Sequence, residues 1–138
     1  MNSSKDERSW SPHRLVDEFY RRVNKTIRSR PTVDLPDSEI REIQDYLEKK
    51  VRELRQALQA RNLVKIADGL GDVVYVVYGA ALQFGIPLDD VVQEIHEANM
   101  TKPNSDGTVR RSSAGKILRG DSYVPPALEE KLKIDGLD

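Results

Sequence analysis

The chain predicts an all-α fold of the four-helix-bundle type, and three observations carry that prediction. Apolar residues return at helical spacing in two separate stretches: Leu15, Phe19, Val23 and Ile27 in steps of four, then Ile40, Ile43, Leu47, Val51, Leu54 and Leu58 in steps of three and four. A third apolar stretch runs from Leu63 to Leu82 with no hairpin signal beside it. None of the 138 residues is a cysteine, so neither disulfides nor thiolate metal sites organise the chain instead.

Each element has its own local cause. Ser11 is placed to cap a first helix and Pro12 suits its first turn, with the stripe from Leu15 to Ile27 expected to face inward. Arg30 to Pro36 reads as a linker, after which Asp37 or Ser38 is expected to cap the second helix. In the third stretch, the β-branched and aromatic run Val73 to Tyr78 alone would read as a strand. Its extension on both sides, closed by Gly85, makes a buried helix the better reading. Gly69, Gly71 and Gly79 inside that helix each cost about 1 kcal/mol against alanine, which points to a close approach to its backbone. Pro87 opens a fourth helix with Asp89 and Asp90 at its positive end and Val91, Val92, Ile95 and Ala98 toward a core. Beyond Lys102 come a turn cluster, Pro103 to Gly107, a basic polar stretch, Arg110 to Lys116, and a short helical segment from Ala127 to Lys133. The expected organisation is an N-terminal tail over 1–10, a helical domain over 11–101, and a polar loop with a C-terminal segment over 102–138.

Lys and Arg number 22 against 23 Asp and Glu, a net charge of -1, so no global positive field favours nucleic acid or anionic lipid. The first ten residues lack the apolar stretch of a signal peptide, and no run is long enough to span a membrane. A cytoplasmic protein is expected, and a domain of this size commonly shares apolar faces between subunits as a homodimer or higher homo-oligomer.

The candidate chemistry lies between Asp68 and Lys102. Asp68 and Asp72 are four residues apart, so on a helix their carboxylates share one side and can share a divalent cation. Glu53 on the second helix is the natural third acid. His96, Asn99 and Lys102 recur in steps of three on the fourth helix, where an amide and an ammonium suit phosphate oxygens. The plainer alternatives are a solvated acidic face, a helix-dipole role for Lys102, and a structural His96.

The blocks DVVYVVYGAA, GIPLDDV and EIHEANMTK, with Asp106-Gly107, Gly115-Lys116 and Tyr123 to Pro126, resemble the MazG-like all-α nucleoside triphosphate pyrophosphatases, in particular the phosphoribosyl-ATP pyrophosphohydrolase-like branch. The resemblance spans about Ile40 to Leu128 and implies a dimerising helical bundle that holds Mg2+ or Mn2+ on acids of two helices. It also implies hydrolysis of a nucleoside triphosphate to the monophosphate and pyrophosphate. Carried over position by position, Glu53 and Asp72 match metal-binding and catalytic acids, Asp68 stands close enough to substitute for one, and Asn99 and Lys102 match nucleotide-contacting positions.

Lys49, Lys50 and Gly69 stand where the family has acids. Two lysines for two glutamates change the local charge by four units. Each unit pair about 4 Å apart interacts by roughly 4 kcal/mol at an effective dielectric near 20. A full multi-metal cluster is therefore not expected. Three readings stay open: a hydrolase with one metal at Glu53, Asp68 and Asp72; an inactive relative binding a phosphorylated ligand through Lys49, Lys50, Asn99, Lys102 and Lys116; and a repurposed enzyme using a lysine of lowered pKa. A plain solvated role for Lys49 and Lys50, paired with nearby acids, stands beside them.

Overall fold

In the computed structural model, residues 10–133 are described; most of the expected N-terminal tail and the last five residues of the chain lie outside them. Five helices follow in order: α1 Pro12–Arg22, α2 Asp37–Ala60, α3 Leu63–Phe84, α4 Leu88–Met100 and α5 Leu128–Leu132. The described residues contain no β-strand, only an isolated bridge between Arg111 and Ile117. The fold is all-α, as its periodicity predicts. The chain divides into two compact units, a first ending at Ile86 and a second beginning at Pro87.

The first unit is built on α3, against which both α2 and α1 pack. Ser11 caps α1 by accepting a hydrogen bond from the Arg14 amide at 3.2 Å, with Pro12 in the first turn. The stripe expected to face the core is offset by one residue. Val16 and Tyr20 are buried, whereas Leu15, Phe19 and Val23 are 43%, 47% and 47% exposed and Ile27 lies past the helix. The cause is a fit between α1 and α3: the Tyr20 hydroxyl occupies the place where a side chain on Gly79 would begin. Turning Tyr20 inward turns Phe19 outward.

Helix α2 starts without a side-chain cap. Its N-cap is Pro36, and Asp37 and Ser38, either of which was expected as the cap, are instead the first two helical residues, where the Asp37 charge favours the positive helix end. The face of α2 toward the core runs Ile43, Leu47, Lys50, Leu54 and Ala57, while Val51 and Leu58 are exposed by 53% and 52%. Arg61 in the left-handed region (φ 51°) and Asn62, whose side chain caps α3 through the Lys65 amide, turn the chain from α2 into α3. The two helices approach closely at Gly69, where an added Cβ would lie 3.3 Å from the Leu54 Cα. Gly85 (φ 69°) ends α3, its amide and that of Ile86 bonding back to Leu82 and Ala81. The linker then packs on that end, with the Arg28 amide donating to the Leu82 carbonyl and Thr32 to Phe84, each at 2.9 Å.

In the second unit, α4 begins after Pro87 with Asp89 and Asp90 in its first turn, as expected. Ala98 is buried, but Val92 and Ile95 are nearly half exposed, so the expected core face is only partly covered. Glu94 ties α4 to α5 through the Ala127 amide at 3.2 Å and the Lys131 ammonium at 3.5 Å. The polar segment between them folds on itself. Asn104 to Thr108 forms a turn closed by backbone bonds, and Asp121 accepts from the Ser105 amide and hydroxyl. Those bonds hold the Asp121 carboxyl below its usual range.

Candidate functional site

Three of the expected acids share one groove without being grouped closely enough to hold a metal ion as they stand. Glu53 on α2 and Asp68 and Asp72 on α3 line one groove of about 400 Å³, together with Gln56, Lys65 and Gly69. The helix pair explains the arrangement: Asp68 and Asp72 lie one turn apart on α3, and Gly69 lets α2 come close enough to set Glu53 opposite them. Lys65 and Gln56 were not anticipated. The signal for Lys65 was present, since Lys65, Asp68 and Asp72 follow one helix face in steps of three and four.

Lys50 decides the groove's electrostatics. Its Nζ lies 3.4 Å from Asp72 Oδ2 and 3.5 Å from Glu53 Oε2, and 5.6 Å from the centre of the Tyr46 ring. The lysine side chain is 18% exposed, against 45% for Glu53 and 40% for Asp72, because its stem runs along the inward stripe of α2. Burial pulls its pKa down, but the hydrogen bond to Asp72 and the charges of Asp72 and Glu53 outweigh burial, so the net shift is upward. The ammonium form is reinforced. With half-exposed partners at these distances, the net energy of the contacts is about 1 kcal/mol or less.

Lys49 points elsewhere, as its neighbouring position on a 3.6-residue helix requires. It borders a different cavity, of about 390 Å³, with Lys25, Glu42, Asp45, Tyr46 and Gln83. The two lysines therefore form no joint anion site. Asn99, Lys102 and Lys116 belong to the second unit. Asn99 and Lys102 sit at the end of α4, where the Lys102 amide donates to the Asn99 carbonyl at 3.1 Å, and His96 is exposed on the same helix. Lys116 closes a tight turn, its amide donating to the Ser112 hydroxyl at 3.0 Å.

The donor set does not fit a multi-metal cluster. Among the described residues no three Asp, Glu or His side chains are grouped so as to hold a metal ion. Two of the groove's three acids instead face an ammonium of their own chain.

An all-α unit with an acid-lined groove between two antiparallel helices is the class that fold and site define. Residues 16–99 match the family described as phosphoribosyl-ATP pyrophosphohydrolase, a MazG-like all-α family, and the chain belongs to it. Proteins of that family typically depend on a divalent metal. The chain is also similar to the "Uncharacterized protein L479" of Acanthamoeba polyphaga mimivirus, with 35% identity over 82 residues, 57% of this chain and 30% of that protein. It thus spans less than a third of that relative's length. No single helix among the described residues is long and apolar enough to cross a membrane.

Proposed function

We propose that this chain binds a nucleotide or another phosphorylated ligand within a pyrophosphohydrolase fold, without the multi-metal hydrolysis of its family. Family membership supports nucleotide pyrophosphohydrolase-like activity at the level of the family. The observation that carries the narrower reading is the Lys50 ammonium lodged between Glu53 and Asp72. Lysine can balance phosphate charge as a metal ion does. Asn99, Lys102 and Lys116, all in the second unit, are candidates for phosphate contacts on the family resemblance alone. A cytoplasmic location accords with a nucleotide ligand.

A panel of ribo- and deoxyribonucleoside triphosphates, each with and without Mg2+ or Mn2+, tests this by thermal shift and by pyrophosphate release. The expected result is a raised melting temperature for some nucleotide, independent of metal, with no pyrophosphate formed. Metal-dependent pyrophosphate release would instead establish the second reading, hydrolysis with one metal. That reading is favoured by the presence of Glu53, Asp68 and Asp72 in one groove. Nothing favours a nucleophilic Lys50, since its raised pKa leaves little neutral amine.

The partner we propose for the exposed apolar surfaces is a second copy of the chain. Leu15, Phe19 and Val23 on α1, with Tyr75 on α3 in edge contact with Phe19 at 5.9 Å, leave apolar area in solvent. So do Val51 and Leu58 on α2.

A further inference from the structure

We infer that the Lys50 ammonium itself fills the cation's place between Glu53 and Asp72, and that its charge, rather than a shortage of carboxylates, keeps divalent ions out of this groove. The geometry makes the two oxygens near neighbours. Each lies within 3.5 Å of one nitrogen, so Asp72 Oδ2 and Glu53 Oε2 are at most about 7 Å apart although they come from different helices. Both carboxylates are partly exposed. Asp68 adds a third acid on the same groove wall.

Donor number is not limiting on these terms. Magnesium keeps several waters and is commonly held through one or two carboxylates, with substrate phosphates completing the site where a nucleotide is bound. Charge is limiting. Glu53, Asp68 and Asp72 are opposed by Lys50 and Lys65, leaving the groove a net charge of -1, and loss of Lys50 alone makes it -2. The ammonium also cannot drift away readily. Its stem is packed in the inward stripe of α2 and the Tyr46 ring flanks its head.

Manganese alone is the probe, titrated into the intact chain and followed by the electron paramagnetic resonance of the free hexaaqua ion. Lys50→Met keeps the apolar stem and removes the charge. It is expected to bind Mn2+ at least tenfold more tightly than the unaltered chain, and adding Asp72→Asn is expected to abolish the gain. A folded Lys50→Met protein with no gain overturns the inference, and does so even if Lys50→Glu binds, because carboxylate number would then be what was missing. Tight Mn2+ binding by the unaltered chain that is lost on Asp72→Asn overturns it as well. Circular dichroism establishes that each variant is folded, and Lys50→Gln replaces Lys50→Met if the latter is not. No nucleotide enters the measurement, so its outcome is independent of whether the nucleotide reading holds.

Discussion

Gly79 and Lys50 show how far a single position is governed by its neighbour on another helix. The Tyr20 hydroxyl stands where a Gly79 side chain would begin, so Gly79→Ala forces a shift in a packed contact and is expected to cost about 1–3 kcal/mol. Urea unfolding measures it. In a double-mutant cycle with Tyr20→Leu, which empties that space, the two losses should fall well short of adding; strict additivity would show that the contact is not the cause. Lys50→Met, by contrast, should change stability by no more than about 1 kcal/mol, because Glu53 and Asp72 are exposed enough to be hydrated once the ammonium is gone. The glycine signal was legible in the sequence at Gly69 and Gly79, each with a neighbour against it, but not at Gly71, which has no such neighbour within 4 Å. A glycine in a helix marks room for a close approach without saying what approaches. Helical spacing alone puts Asp68 and Asp72 on one side of their helix, whereas spacing says nothing of Glu53, which lies on another helix.

At the scale of elements, helix boundaries were more legible than helix faces. Ser11, Gly85 and Pro87 mark ends by chemistry local to each end, and the ends fall there. The inward face of α2 was less legible because two stripes both keep helical spacing: Ile43, Leu47, Val51, Leu54 and Leu58 in sequence, Ile43, Leu47, Lys50, Leu54 and Ala57 in the fold. Only the partner helix selects between them, and it selects the one that carries a lysine inward. Just ahead of the linker Arg30 to Pro36, Arg28 makes a two-pronged ion pair that helical periodicity does not announce. The Arg28 guanidinium donates to both Glu39 oxygens, at 2.7 and 3.1 Å, and to the Gln83 carbonyl at 2.6 Å, joining the segment after α1 to α2 and α3. The hydrogen bond from Arg28 holds the Glu39 carboxyl below its ordinary value of 4.5, against the opposing effect of burial. A depressed carboxylate contributes stability that is fully present above its unfolded pKa and is lost as pH falls through the folded value. Urea midpoints should therefore drop as pH falls below about 5. Glu39→Gln is expected to lose about 1–3 kcal/mol at pH 7 and to show a shallower acid dependence. Equal acid slopes in the two proteins would remove Glu39 as the titrating group.

For the molecule as a whole, the question is what covers the apolar surface that the helices of the first unit leave in water. Phe19 is 47% exposed in edge contact with Tyr75, which is itself 38% exposed, and Leu15 and Val23 extend the same stripe of α1. Val51 and Leu58 make a second stripe on α2, beside Leu47 and the stems of Arg52 and Arg55. Single exposed apolar residues need no explanation, but rows of them at helical spacing on two helices do. A helix-helix interface between copies would bury them, and each fully buried side chain of this kind contributes about 1.5–3 kcal/mol before the costs of association. Sedimentation equilibrium over a wide range of protein concentration is expected to show a dimer or larger assembly. Phe19→Asp and Val51→Asp, each placing a charge on one stripe at a position the monomer leaves exposed, separate the two faces. The substitution on the stripe that forms the interface should weaken association by tenfold or more with helix content unchanged, whereas a chain that is monomeric at every concentration, or that both substitutions leave equally associated, would show that these stripes are not where copies of the chain meet.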